Sequence, residues 1–135
     1  MKKTICYIAF GGMVGTFFRV MLSNAVTSSS IFPYSTLIAN LSGCLLLGLL
    51  TGFIVARNVE DFLKAGLGVG LCGSLTTMST FAFDVHFLLF EETMLWLSVQ
   101  YILGSLFGGF ILVFLGIKMG NRIAAKMISV EKVKE

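Results

Sequence analysis

Four long apolar stretches alternate with short polar segments along this chain. The apolar stretches cover residues 4–22, 34–56, 62–90 and 94–117. A helix needs roughly 20 apolar residues to cross a bilayer, so each stretch is long enough to span one. A basic, amphipathic tail follows at residues 118–135, as in helices that lie at a membrane surface. The pattern predicts one all-helical membrane domain with four transmembrane helices.

The composition agrees with a membrane protein. The 135 residues are 56% hydrophobic and only 13% charged. A soluble domain of this size cannot cover so much apolar side chain with so few charges. The lipid bilayer is therefore the expected solvent, and the length leaves no room for a second domain.

The third apolar stretch is longer than one span requires and polar at its middle. Its segment GSLTTMSTF, residues 73–81, places five hydroxyl residues between apolar flanks. Serine and threonine side chains compete for backbone hydrogen bonds, so we predict a break in the helix near residues 73–77. An unbroken helix whose hydroxyls bond to the preceding turn is the alternative. A break at membrane depth is tolerated where it lines a cavity, and its carbonyls can hold a small cation.

The positively charged residues predict how the chain crosses the membrane. Nine of the ten lysines and arginines lie in the two ends or near the second connecting segment, which four spans place on one side. The tenth, Arg19, lies inside the first stretch, towards its far end. Because positive loops stay inside, we expect a multi-pass protein of the cell's inner (plasma) membrane with both termini in the cytoplasm. The net charge of +3 then fits anionic lipid and not nucleic acid.

Three polar side chains at membrane depth each have two interpretations. A polar group in hydrocarbon costs free energy unless it faces protein, a cavity or a helix end. Asn40 lies mid-span and either forms an interhelical hydrogen bond or lines a pathway with its amide donors. Arg19 either reaches the outer interface or faces an anion. Asp84 faces the outer mouth or caps backbone groups, and by itself it is interpreted as structural.

Glycine and cysteine add two expectations. Glycines four residues apart occur in every apolar stretch, and small residues let helix backbones approach closely in lipid. These pairs are Gly11/Gly15, Gly48/Gly52, Gly66/Gly70 and Gly104/Gly108. The three cysteines lie in different stretches without a CxxC spacing, so we expect small buried residues and no metal ligands. No nucleophile–base pair, carboxylate pair or phosphate-binding loop occurs, which argues against an enzyme.

Three segments resemble the Fluc (CrcB) family of fluoride channels. They read GGMVGTFFR at residues 11–19, STLIANLSG at 35–43 and GLCGSLTTMSTFAFD at 70–84. The resemblance implies a passive, fluoride-selective channel that assembles as an antiparallel, dual-topology dimer with two narrow pores along its interface. It also implies a structural sodium ion at the centre of the dimer. The backbone carbonyls of Gly73 and Thr76 in the broken third helix would be its ligands.

The same resemblance implies the residues of the fluoride pathway. They are Arg19, Asn40, Thr77, Met78, Ser79, Thr80, Phe81, Tyr101 and Ser105. Fluoride holds its water strongly, so a pore must replace that shell with donors such as amide and hydroxyl groups. Aromatic edges carry positive charge density and can also face an anion. A buried cation offsets the cost of an anion in a low-dielectric site.

The chain departs from the family's third-helix pattern, which usually reads TTFSTFSxE. Met78 stands at the first phenylalanine, Ala82 at the following serine and Asp84 at the glutamate, while Gly109 stands where a further hydroxyl often occurs. Met78 lacks an aromatic edge, which affects at least one pore. The strong charge bias also predicts that nearly all copies insert the same way. We therefore expect a heterodimer with a homologous inverted subunit.

Two other functions stay open beside a conducting subunit. One is a non-conducting or partly conducting partner in a heterodimeric fluoride channel, which the departures favour. The other is a small proton-coupled multidrug exporter, which is also a four-span, dual-topology dimer. That exporter needs a carboxylate in its first span to exchange protons, and residues 4–22 contain none.

Overall fold

The structure is a computed structural model that describes residues 1–26, 31–57 and 59–134, with side chains as far as residue 130. The last residue of the predicted tail lies outside this range. Four helical segments in the described part of the chain are long and apolar enough to cross a membrane. They are α1 (Lys2–Ala25), α2 (Tyr34–Arg57), a composite third span (Asp61–Glu91) and α6 (Leu95–Lys134). The four predicted spans are thus confirmed.

The third span is divided into shorter pieces. It begins with α3 (Asp61–Ala65), a π-helical segment (Gly66–Cys72) and the single turn α4 (Gly73–Leu75). The backbone is then extended at Thr76, with φ −83° and ψ 156°, and at Thr77, with φ −146° and ψ 121°. Helix α5 (Met78–His86) and a second π-helical segment (Phe87–Glu91) complete the span. The predicted break therefore occurs, and it is confined to Thr76 and Thr77.

Glycines bring α1 against the first half of the third span. A Cβ atom at Gly11 would overlap the carbonyl oxygen of Gly66, and one at Gly15 would overlap that of Leu71. Gly70 meets the carbonyl oxygen of Ile8 in the same way. The backbones are in direct contact here, as the paired glycines predict.

Helices α2 and α6 form the largest contact in the subunit. Gly48 lies against the carbonyl oxygen of Val113 and Gly52 against that of Ile117. The predicted pair on α6 behaves differently. A Cβ at Gly108 would lie 3.0 Å from a methyl carbon of Leu41, whereas Gly104 has open space beside it. Only one member of that pair packs within the subunit.

Helix α6 extends past residue 117, where the predicted fourth span ends and the predicted basic tail begins. It continues without interruption to Lys134, over 40 residues. Gly120 does not end it, because this residue packs against the backbone of Leu49 and Phe53 on α2. At 1.5 Å per residue the helix is about 60 Å long, roughly twice the thickness of the hydrocarbon core. The tail is therefore an extension of the fourth span along its own axis.

Candidate functional site

The side chain of Asn40 on α2 pairs with the backbone of Thr77 at the break. Its Nδ2 donates to the Thr77 carbonyl oxygen at 3.1 Å, and its Oδ1 accepts from the Thr77 N–H at 2.8 Å. The amide therefore satisfies both backbone groups of one extended residue. Asn40 has two amide hydrogens, so one remains for a further acceptor. The interhelical hydrogen bond predicted for Asn40 is present, and a role in a pathway stays a prediction.

The break removes the helical donors of several carbonyl oxygens, and those of Gly73 and Thr76 are among them. In a continuous helix the Thr77 N–H would bond to the Gly73 carbonyl, but here it is donated to Asn40. The Thr80 N–H would likewise reach the Thr76 carbonyl, but it is donated to the Thr77 hydroxyl at 3.2 Å. Gly73 and Thr76 are the two residues implied as sodium ligands. Backbone carbonyl oxygens suit a hard cation, so these residues fit the ion in kind.

Thr77 also forms the N-terminal cap of α5. Its Oγ1 accepts the Thr80 N–H and lies 3.1 Å from the Thr80 hydroxyl and 3.2 Å from the Ser79 hydroxyl. Such capping is typical of threonine at a helix start. The N-terminus of α5 and the C-terminal end of α4 thus meet at the break. The first favours an anion and the second a cation.

A central cavity of about 390 Å³ opens beside the break. It is lined from α2, the π-helical segment, the break, α5 and α6, and it contains most of the predicted functional residues. The predicted pathway residues among them are Asn40, Thr77, Met78, Phe81 and Ser105. Both implied sodium ligands, Gly73 and Thr76, line it as well. The Ser105 hydroxyl is buried and has no hydrogen-bond partner among the described residues.

A second cavity of about 290 Å³, called the outer cavity below, is also lined by Thr77. It is lined by Arg19, which is a predicted pathway residue, and by hydroxyl residues from α1, α2, the break and α5. These hydroxyl residues are Ser23, Ser35, Thr36, Thr77 and Thr80. Thr77 lines both cavities, so the Asn40–Thr77 pair lies at their junction. Arg19 faces this polar cavity, which supports the anion-facing interpretation.

Tyr101 on α6 is fully buried, and its ring lies beside that of the predicted pathway residue Phe81. Its hydroxyl donates to a carboxylate oxygen of Asp84 at 3.0 Å, which supports the structural interpretation of that aspartate. The ring centroids of Tyr101 and Phe81 are 5.1 Å apart. The ring of Phe32 meets Tyr101 edge-on at 5.7 Å. Tyr101 lines neither cavity, whereas its neighbour Phe81 lines the central one.

Two further predicted residues and two unpredicted ones complete the site. Ser79 is exposed and lines neither cavity, although its hydroxyl reaches Thr77. Met78 is 75% exposed, at the mouth of the central cavity. Cys44 and Cys72 also line that cavity, which the sequence analysis did not predict. Helical spacing could have predicted their position. Cys44 follows Asn40 by four residues and Cys72 precedes Thr76 by four, so each lies on the same helix face as a predicted site residue.

Comparison with known proteins places the chain in a family. Residues 6–117 match the family described as CrcB-like protein, Camphor Resistance (CrcB). The chain is 43% identical over 124 residues to the fluoride-specific ion channel FluC 2 of Halalkalibacterium halodurans, covering 92% of this chain and 90% of the relative. It is 42% identical over 120 residues to FluC 2 of Staphylococcus saprophyticus, covering 87% and 97%. It is 36% identical over 124 residues to FluC of Flavobacterium psychrophilum, covering 90% and 99%.

Four helices that are long and apolar enough to cross a membrane indicate a multi-pass membrane protein. The chain belongs to the CrcB family, as its three matching segments predicted. Its relatives are named fluoride-specific ion channels.

Proposed function

We propose that this chain is a subunit of a fluoride-selective channel through which fluoride leaves the cytoplasm passively. The observation that supports it best is the Asn40–Thr77 pair, which lies where the two cavities share Thr77. The names of the relatives agree with this function. The fixed donors around the junction replace the water that fluoride loses, and the narrow passage favours the small ion.

Each donor has a place along the route. Arg19 attracts the anion into the outer cavity, where the hydroxyls of Thr77 and Thr80 face it. At the junction the second amide hydrogen of Asn40 is available, and the N-terminus of α5 favours negative charge. In the central cavity the buried Ser105 hydroxyl supplies another donor and Phe81 an aromatic edge. The multidrug exporter is not supported, because nothing here provides a first-span carboxylate.

We infer that the carbonyl oxygens of Gly73 and Thr76 hold the structural sodium ion. Both carbonyls lose their helical donors, as described above. When bound, the ion supplies positive charge that offsets the cost of anions near the break. Asn40 keeps the Gly73 carbonyl available because it accepts the Thr77 N–H, and the Thr77 hydroxyl does the same for the Thr76 carbonyl because it accepts the Thr80 N–H.

We propose an antiparallel dimer, formed with a homologous inverted subunit, as the working assembly. Gly73 is exposed and Gly68 has open space beside it, both on the wall of the central cavity. A second chain can approach the backbone closely there, which brings two sets of Gly73 and Thr76 carbonyls together. The charge bias of the sequence supports a single orientation for this chain, and thus a partner of opposite bias.

A partly conducting or silent partner subunit is a second candidate function. It is supported by Met78, which stands exposed at the cavity mouth without an aromatic edge. Fluoride efflux from proteoliposomes, with chloride as the control anion, tests both candidates. Fast fluoride release without chloride release is expected for a conducting subunit. Release no faster than from empty vesicles, alone and with a homologous partner, would contradict both.

A further inference from the structure

Three sulfur-containing side chains from separate elements line the central cavity. Cys44 comes from α2, Cys72 from the π-helical segment and Met78 from the start of α5. Cys72 is 2% exposed, Cys44 is partly buried, and Met78 stands at the mouth. The sequence analysis expected no metal ligands because the cysteines lie in different spans. The fold brings two of them to one cavity, together with a thioether.

The position of Cys44 is matched by its neighbour on α6. A Cβ atom at Gly109 would lie 3.2 Å from the Cys44 sulfur, which is tighter than ordinary contact. The glycine therefore makes room for the thiol. A hydroxyl residue, which the family pattern often has at this position, would press on Cys44.

The cavity also contains a polar atom without a partner. The Ser105 hydroxyl is buried there with no hydrogen bond among the described residues, so the protein's own contacts do not complete the site. Thiolate and thioether sulfur select soft ions such as Cu⁺ and Ag⁺, whereas the nearby carbonyl oxygens suit hard ions. The cavity therefore offers two different kinds of ligand to two different kinds of cation.

We propose that the central cavity binds one soft monovalent metal ion, such as Ag⁺ or Cu⁺, through Cys44, Cys72 and Met78. On binding, one thiol forms a sulfur–metal bond and releases its proton to water, and no group is oxidised or reduced. The thiolate neutralises the charge of the ion, which suits a low-dielectric site. The second thiol and the Met78 thioether act as neutral donors.

The bound ion blocks fluoride conduction, a part of the inference that rests on the proposed function. Asn40 and Thr77 line the same cavity as the three sulfurs. An ion held there narrows the passage beside the junction. Binding itself does not depend on conduction, so the two parts are measured separately.

Silver retention by the purified full-length protein tests the site. The Cys6→Ser variant provides the background, because Cys6 is exposed on α1 and lies outside the cavity. Protein in detergent is exposed to Ag⁺ in chloride-free buffer, desalted and analysed for silver and protein. One silver ion per chain is expected in the background, and a large loss when Cys44→Ser or Cys72→Ser is added. Equal retention in the Cys44→Ser/Cys72→Ser double variant, still monodisperse by size exclusion, would overturn the site.

Fluoride efflux in the same background tests the block. Externally added Ag⁺ is expected to slow release from vesicles in nitrate buffer. In Cys44→Ser or Cys72→Ser it should leave the rate of release at that variant's own silver-free value. Silver retention without slower efflux would overturn the block and leave the site. Absence of fluoride efflux from every sample before silver is added would count against the proposed function, while the retention result would still decide the site.

Discussion

The Asn40 side-chain amide forms two hydrogen bonds with the backbone of Thr77, donating one at 3.1 Å and accepting one at 2.8 Å. The pair connects α2 with the only extended residues inside the described part of the third span. In a regular helix, backbone groups of neighbouring turns satisfy each N–H and carbonyl. Here the Asn40 amide satisfies both groups of Thr77, whose backbone is extended. This releases the Gly73 carbonyl and fixes the start of α5. One side chain therefore shapes both the proposed cation site and the proposed anion pathway.

Replacing Thr77 with valine preserves the shape of the side chain but should destabilise the start of α5. Valine cannot accept the Thr80 N–H, so α5 loses its cap, at a cost of about 1 kcal/mol. Thr77→Ser keeps the acceptor and is the matched control. We expect slower fluoride efflux and lower thermal stability for Thr77→Val than for Thr77→Ser. Equal values for the two variants would show that the hydroxyl is not needed.

Gly48→Ala should disrupt the contact between α2 and α6. The added methyl group would overlap the carbonyl oxygen of Val113, and overpacking of this kind costs about 1–3 kcal/mol. Gly104→Ala adds the same group where nothing lies within contact distance. In detergent, the unfolding temperature should be lower for Gly48→Ala than for the wild type and unchanged for Gly104→Ala. The reverse order would contradict this helix packing.

Tyr101 should act through the position of Phe81. Tyr101→Phe removes the hydrogen bond to Asp84, at a cost of about 1 kcal/mol, but keeps the ring beside Phe81. Tyr101→Ala removes the ring as well. We expect efflux close to wild type for the phenylalanine variant and strongly reduced efflux for the alanine variant. Equal loss in both would assign the effect to the hydroxyl instead.

The orientation of the chain is testable on cells that express it alone. A tag at the C-terminus should be accessible almost only from the cytoplasm, because the positive residues favour one side. Fluoride efflux should then increase when a homologous chain of opposite charge bias is co-expressed. Equal populations in both orientations, with full efflux from the lone chain, would leave the heterodimer without support.

Much of the fold follows from the sequence because membrane spans depend on local composition. Apolar length set the four spans, and the hydroxyl run located the break to within a few residues. The end of α6 did not follow, since the packing of Gly120 against α2 outweighs its weak helix propensity. Pairwise relationships also did not follow. The bond from Tyr101 to Asp84 and the presence of Cys44 and Cys72 in one cavity depend on how separate spans pack.

Residues near the break were easier to predict than their roles. Asn40 was identified as an amide at membrane depth. Its partner could not be predicted, because it bonds to the backbone of Thr77, and every residue type has the same backbone carbonyl. Similarly, the release of the Gly73 and Thr76 carbonyls depends on which hydrogen bonds form in their place. Such exchanges are decided by the folded geometry.

The most direct test is fluoride efflux by proteoliposomes containing the Asn40→Asp variant, with its homologous partner where the lone chain is silent. Aspartate keeps the size of the side chain and can accept the Thr77 N–H, but it cannot donate to the Thr77 carbonyl while ionised, and its charge repels fluoride. Asn40→Ala removes both bonds without adding charge. Ser42→Ala is the matched control, because the Ser42 hydroxyl bonds only within α2, to Ala39, and lines neither cavity. We predict abolished efflux through the pore that this chain's α2 lines for both Asn40 variants and wild-type efflux for Ser42→Ala. Undiminished efflux from a well-folded Asn40→Asp channel would contradict the account.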